Sequence, residues 1–143
     1  MLPEAGIVNP EPGGSDTQDM STVSTLLPPD SAAAFESLAG LVLAQAPVGI
    51  TVTDAGGSIQ YVNAAFCAVT GYAPEEVLGR NPRVLQSGRH PREYYQAMWR
   101  AIREAGAWQG EIWNRRKTGE VYPEWLSIVA LRDPAGAVTH YFA

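Results

Sequence analysis

The chain has 143 residues and a formal net charge of −5, which leaves room for one domain of ordinary size. A hydrophobic fraction of 45% suffices for a packed core and excludes a collagen-like or fully disordered chain. The acidic balance argues against a nucleic-acid-binding surface, and the single cysteine, Cys67, excludes an internal disulfide.

Targeting and membrane signals are missing from the sequence. No run of about 18 apolar residues is present, so no membrane span is expected. The N-terminus carries acids early and has no basic region ahead of an apolar core, so it does not resemble a secretory signal. The expected location is therefore the cytoplasm.

The first predicted segments are a tail and a helix. Residues 1–30 hold five prolines among Gly, Ser and Thr, a composition that predicts a flexible tail. A helix is predicted over residues 31–46, since Asp30 and Ser31 offer an N-cap and Pro47 disfavours continuation. It carries an apolar stripe, which packs either on its own domain or on a partner helix: Phe35, Leu38, Leu41 and Val42.

The pattern changes to short strands after Val48. Two alternating runs, 49–53 and 59–63, flank an Asp/Gly turn and predict a hairpin. Helices are then predicted over 64–70 and 74–79, followed by a loop over 81–91 and an amphipathic helix over 92–104. Its apolar face is predicted to hold Tyr95, Met98, Trp99 and Ile102.

Three further strands are predicted over 108–114, 121–131 and 138–142. Short turns separate these strands, and the predicted helices are grouped in the middle of the chain. This order predicts an α+β fold with an antiparallel sheet and helices on one face.

Several segments resemble PAS domains. Residues 46–50, 61–66, 70–72 and 75–79 are similar to the opening strand, hairpin and first helices of that family. Residues 108–122, from Trp108 to Tyr122, resemble its PAC segment. The resemblance implies a PAS domain over 47–143, with a five-stranded sheet in the order 2-1-5-4-3. It also implies a bacterial sensory protein. A homodimer is expected on a separate ground, the apolar stripe of the helix over 31–46, which would pair together with the outer face of the sheet.

The resemblance implies a downstream output module, either a histidine kinase, an enzyme of cyclic-di-GMP turnover or a regulator. The Asp-Ile-Thr-like triplet that usually follows the last strand is missing after Ala143. The module is therefore expected beyond that residue. The chain itself is not expected to be an enzyme, because its acids are dispersed and no nucleophile–base grouping or phosphate loop is evident.

One motif resembles the blue-light LOV branch of the family. Residues 79–86 read Gly-Arg-Asn-Pro-Arg-Val-Leu-Gln, where LOV domains have Gly-Arg-Asn-Cys-Arg-Phe-Leu-Gln. Pro82 replaces the flavin-reactive cysteine, so a thiol–flavin adduct at that position is excluded. Cys67 is expected to be a small buried hydrophobe. Asn114 matches a LOV residue that contacts the flavin pyrimidine edge, while Glu124 stands where the second such asparagine occurs.

A second branch holds FAD as a redox sensor, as in nitrogen-fixation regulatory flavoproteins. Trp108 and the run Asn114–Lys117 resemble that branch, and an aromatic wall with an amide suits an isoalloxazine ring. The candidate cofactor-binding residues are Asn81, Trp108, Asn114 and Glu124. FAD, an unidentified small ligand and an empty core all remain open, the last implying a ligand-free dimerisation module.

Haem is the least favoured cofactor. Some PAS sensors use a histidine on the long helix as an axial ligand, whereas His90 precedes that helix and lies beside Pro91. It is expected to be a solvated loop residue or a cap. His140, on the last strand, is a weaker candidate still.

Overall fold

The computed structural model describes residues 29–143. The expected tail, residues 1–30, falls outside the described residues except for its last two positions. The first helix, α1, spans Pro29–Gln45, so it begins two residues before the predicted start and ends one residue before the predicted end.

The remaining elements follow the predicted order. A hairpin of β1 (Thr51–Asp54) and β2 (Ile59–Val62) leads to α2 (Ala64–Thr70) and α3 (Pro74–Val77). A short 3-10 helix at Pro82–Leu85 lies within the predicted loop over 81–91 and precedes α4 (Arg92–Ala105). The chain then forms β3 (Ala107–Arg115), β4 (Val121–Arg132) and β5 (Val138–Phe142).

The five strands form one antiparallel sheet in the order β2-β1-β5-β4-β3, which confirms the predicted topology. In the long β3–β4 pair, Trp108 lies opposite Ile128, Ile112 opposite Glu124 and Asn114 opposite Tyr122. Because side chains alternate along a strand, these residues share the face that packs against the helices.

The core lies between this face and the helices. One cluster joins β2 to α2 and α3 and is built on Ile59, Phe66 and Val77. A second joins α4 to β4 through Met98, Ile102 and Ile128. The predicted apolar face of α4 is therefore largely correct, although Trp99 remains 36% exposed.

Asn63 links the start of the domain to its first helices. Its side chain caps α2 by accepting from the Phe66 amide at 3.0 Å, and it also accepts from the Ile50 amide at 2.9 Å. Its Nδ2 donates to the carbonyls of Leu43 at 3.1 Å and Val48 at 2.9 Å. One buried side chain thus holds the end of α1, the entry to β1 and the N-terminus of α2.

Helix α1 exposes apolar side chains. Leu38, Leu41 and Val42 are 57%, 56% and 59% exposed. On the outer face of the sheet Trp125 is 69% exposed. The stripe predicted on α1 therefore does not pack on its own domain at these three positions.

The segment ahead of α4, residues 87–90, is hydrogen-bonded to β3. The Ser87 hydroxyl donates to the Trp113 carbonyl at 2.6 Å, and the Trp113 amide donates to His90 Nε2 at 2.8 Å. At the opposite edge of the sheet, in β2, the Ile59 amide donates to the Arg80 carbonyl at 2.8 Å, and the Gly79 amide donates to the Ile59 carbonyl at 2.8 Å. Both outer strands are thus bonded to neighbouring loops.

Candidate functional site

A cavity of about 150 Å³ lies between the inner face of the sheet and the helices. Met98, Ile112 and Ile128 supply apolar walls, while Thr51 and Asn114 are buried polar residues in its lining. The exposed residues of the lining form its mouth: Arg83, Gln86 and Trp99. This space, called the main cavity for its position against the inner face of the sheet and not for its size, is therefore mostly apolar, with a few fixed polar groups, as ligand sites usually are.

Asn114 and Glu124 form a side-chain pair on the inner face of β3 and β4. Asn114 Nδ2 donates to Glu124 Oε1 at 2.6 Å, and Asn114 is only 5% exposed. Burial raises the pKa of the Glu124 carboxyl, although the bond from Asn114, the Tyr122 hydroxyl and the Arg116 charge oppose that rise. The carboxyl therefore keeps its proton to a higher pH than an exposed glutamate does.

A second cavity, of about 470 Å³, adjoins the main one. Glu124 lines it, as does Tyr122, and it shares Thr51, Phe66 and Leu85 with the main cavity. The Asn114–Glu124 pair therefore lies at the boundary between the two cavities.

Tyr122, in the wall of the second cavity, has a hydroxyl whose pKa is strongly raised. Burial, with a contribution from the Glu124 charge, raises the pKa of its hydroxyl to about 12. The hydroxyl lies near Glu124 but makes no hydrogen bond of good geometry. The Arg116 guanidinium stacks on its ring at 4.0 Å, so a positive charge lies beside the second cavity.

Two of the predicted site residues, Asn81 and Asn114, line the main cavity. Asn81 also caps the 3-10 helix by accepting from the Arg83 amide at 3.0 Å. Trp108 is on the inner face but is not part of the cavity lining. The Trp108 ring covers Gly110 so closely that a Cβ added to that glycine would lie 2.7 Å from the ring. The same ring is edge-on to the Tyr94 ring, with 6.1 Å between the two ring centroids. Trp108 thus packs on Gly110 and α4.

The LOV-like motif forms part of the mouth of the main cavity. Pro82 lines the cavity at the position of the LOV cysteine. Cys67 is half-buried against the cluster around Phe66 and does not line the main cavity. Burial raises the pKa of its thiol, which disfavours the reactive thiolate.

The expectation that His90 is a solvated loop residue or a cap is wrong. The imidazole is half-buried, stacks on Tyr94 at 4.1 Å between ring centroids, and accepts the Trp113 amide through Nε2. The sequence could not show this, because the partner lies 23 residues away. His90 does not line the main cavity, and its Nε2 is already engaged, so it is poorly placed to be a haem ligand.

Sequence reasoning missed several lining residues. Thr51 and Thr53 point to the inner face of β1 and are 8% and 6% exposed. Tyr95 also lines the main cavity, and its hydroxyl is buried without a hydrogen-bond partner within residues 29–143. Because side chains alternate between the two faces along β1, the sequence could have placed both threonines on the inner face.

Within residues 29–143 there is no cluster of three or more metal-ligating side chains, and no helix there is long and apolar enough to cross a membrane.

Comparisons with known proteins agree with this geometry. The chain is 41% identical over 99 residues to a nitrogen fixation regulatory protein of Klebsiella oxytoca, a match that covers 69% of this chain and 20% of that protein. The chain thus spans about a fifth of that relative.

Solved structures show the same fold. An RNA-binding Light-Oxygen-Voltage receptor superposes with a TM-score of 0.72 at 34% identity, over 82% of this chain and 33% of that chain. The light state of the blue-light photoreceptor Aureochrome1 LOV gives 0.62 at 27% identity, over 71% and 81%. Residues 47–143 match the PAS domain family along their whole length. The chain therefore belongs to the PAS domain family and is a sensory PAS module.

Proposed function

We propose that this module binds FAD in the main cavity and passes the redox state of the flavin to an output module. The observation that carries the proposal is the Asn114–Glu124 pair, an amide and a carboxyl bonded at 2.6 Å beside a mostly apolar cavity. A flavin ring needs apolar walls and a row of donors and acceptors at one edge. The resemblance to redox-sensing PAS proteins supports the same ligand.

Groups without partners support ligand binding at this place. The Tyr95 hydroxyl lines the main cavity and the Tyr122 hydroxyl belongs to a residue that lines the second cavity, and both are buried and unbonded within residues 29–143. Buried polar groups normally find a partner, so a ligand edge that satisfies them is favoured. Arg83 and Trp99 are exposed at the mouth, so they are side chains that an entering ring would meet first.

A bound flavin supplies reversible electron transfer and visible absorption. The chain supplies the site for a proton at Glu124. The protonated carboxyl is a donor and the ionised carboxylate only an acceptor, so a change of charge beside it alters its bond with Asn114. Because Asn114 also pairs with Gln86 across an isolated bridge, such a change reaches the loop ahead of α4.

The absorption spectrum of the purified protein tests this proposal, followed by titration with FAD. Flavin bands and quenching of flavin fluorescence are expected. Asn114→Ala should weaken FAD binding by about tenfold, the equivalent of one buried hydrogen bond. The control is Gln109→Ala, which removes an exposed amide from the outer face of the same strand. A protein that neither carries nor takes up flavin contradicts the proposal.

A second candidate function is self-association without a ligand. It is favoured by the exposed apolar side chains of α1 and by Trp125 on the outer face of the sheet, since monomers rarely leave such patches in water. A symmetric pair of chains would cover the same patch on both copies. The two functions are compatible, because a dimer contact through α1 leaves the cavity free.

Light scattering at tens of micromolar concentration tests this association. Leu41→Glu should convert a dimer to a monomer. Gly40→Glu adds the same charge on the opposite side of the helix, where nothing lies within 4 Å, and should leave the dimer intact. A monomeric parent chain would contradict self-association and leave the ligand as the only proposed role.

The wider assignment is also a proposal. The relative from Klebsiella oxytoca is named as a nitrogen fixation regulatory protein, which supports a role in bacterial signalling. A cytoplasmic location and a domain without catalytic activity are part of the same proposal. The output module would be a histidine kinase or an enzyme of cyclic-di-GMP turnover. A shift of α1, the first element of the described fold, or of β5, the last one, would carry the signal to that module.

A further inference from the structure

The outer edge of β3 is closed by side chains rather than by another strand. At Trp113, the amide donates to His90 Nε2 at 2.8 Å, and the carbonyl accepts from the Ser87 hydroxyl at 2.6 Å. Two residues earlier on the same edge, the Glu111 carbonyl accepts from the Tyr94 hydroxyl. Of the three side chains that take the place of a neighbouring strand, His90 is the one of a type that titrates near neutral pH.

The bond to Trp113 requires a neutral His90. A backbone amide can only donate, so Nε2 must present its lone pair and the ring proton must lie on Nδ1. The half-buried ring is stacked on Tyr94 at 4.1 Å between centroids and is edge-on to Tyr95 at 6.0 Å. With the ring held by this packing, protonation would place an Nε2–H opposite the Trp113 N–H. Two donors would then face each other, and the bond would be lost.

Charged groups of both signs surround His90, but no acid pairs with it. The Arg89 guanidinium lies 3.7 Å from the centroid of the Trp113 ring, and the Glu111 carboxylate accepts the Trp113 indole N–H at 3.1 Å. The charged residues of the neighbouring elements are, on the loop, Arg89; on β3, Glu111 and Arg115; and in the first turn of α4, Arg92 and Glu93. The salt bridges within residues 29–143 lie elsewhere, so a proton on His90 would gain no carboxylate partner there.

The loop that His90 holds forms one side of the mouth of the main cavity. Arg83 and Gln86, two exposed lining residues, belong to this mouth loop, which is defined as residues 81–91. Gln86 also forms an isolated bridge with Asn114 of β3. Loss of the His90 bond therefore removes one of the attachments that hold the mouth loop on the strand.

We infer that His90 is a pH-sensitive switch for the mouth loop. The neutral ring holds the loop on β3, and protonation releases it at the Trp113 amide. The bond stabilises the loop above the range in which imidazoles titrate, about pH 5–8, and that stabilisation is lost as the pH falls through it. The inference goes beyond the proposed function, since it requires no bound flavin.

Amide hydrogen exchange and imidazole NMR of the full chain between pH 5 and 8 test the inference. At pH 8 the His90 ring should show the Nδ1–H tautomer. After correction for the intrinsic pH dependence of exchange, the Trp113 amide should exchange about tenfold faster at pH 5 than at pH 8, the equivalent of one hydrogen bond. The Arg89 amide, on the same loop, should change in the same direction. The amides of Ile102 and Ile128, two core residues, should keep their protection, which separates loop release from acid unfolding.

Two matched variants complete the test. His90→Gln keeps an acceptor that does not titrate, so Trp113 exchange should lose its pH dependence in that variant. His140→Gln removes the other histidine of the chain, on β5, and should behave as the parent does.

The inference is overturned if Trp113 exchange in the parent stays constant while the His90 ring titrates, or if that ring does not titrate between pH 5 and 8. It is also wrong if His90→Gln retains the pH dependence of the parent. Equal loss of that dependence in His140→Gln would assign it to general electrostatics and contradict the switch.

Discussion

Replacement of Asn63 by alanine should destabilise the whole domain. The side chain is 3% exposed and makes four hydrogen bonds, to the Ile50 and Phe66 amides and to the Leu43 and Val48 carbonyls. A buried hydrogen bond contributes about 1 kcal/mol net. The two carbonyls are only partly buried, so water can replace Nδ2 there, and we expect a loss of about 3 kcal/mol in the free energy of unfolding.

Such a loss is large against a typical total of about 5–15 kcal/mol. It should lower the thermal midpoint by roughly 10 °C. Urea unfolding followed by circular dichroism measures the effect. Asn81→Ala is the matched control, because Asn81 also caps a short helix but makes a single, exposed hydrogen bond to the Arg83 amide. That control should lose only about 0.5–1 kcal/mol. Equal urea midpoints for the two variants would refute the reasoning.

Three further predictions concern the site. Because burial raises the pKa of folded Glu124 above its ordinary value of 4.5, its contribution to stability is fully present below that value and is lost as the pH rises through the folded pKa. Glu124→Gln should therefore gain stability relative to the parent chain as the pH rises from acid to neutral, and a constant difference in urea midpoint would contradict this. In an alkaline titration followed by tyrosinate absorbance, Tyr122 should ionise near pH 12, after the exposed tyrosines. Tyr122→Phe should therefore lack the absorbance increase near that pH. Illumination of the flavin-loaded chain should give no thiol adduct, because Pro82 has no nucleophile and Cys67 does not line the cavity; a dark-reversible adduct spectrum would disprove this.

Local chemistry made most of the fold predictable. Gly71 and Gly106 end α2 and α4 in the left-handed conformation, as their positions in the sequence indicated. Short turns within 51–62 and within 107–142 made the hairpin pairs predictable, whereas the pairing of β1 with β5 and the strand order followed from the family resemblance. The 3-10 helix at Pro82–Leu85 was missed because its composition is that of a loop, and only its capping by Asn81 distinguishes it.

The site depended on contacts that no local pattern encodes. Asn114 and Glu124 were named through the family resemblance, and their direct bond follows from the β3–β4 register. Trp108 was expected to form the cavity wall, but Gly110, two residues along the same face, leaves space that its ring fills.

The bonds at the two outer strands determine how this domain can meet other chains. Exposed strand edges are templates for pairing with foreign strands and for aggregation. Here the Ile59 backbone is bonded to Gly79 and Arg80, and the Trp113 backbone to Ser87 and His90. Strand addition is therefore obstructed at Ile59 on one edge and at Trp113 on the other. Contact with another chain is therefore favoured at the open face of the sheet, where Trp125 is exposed, or at a helix such as α1.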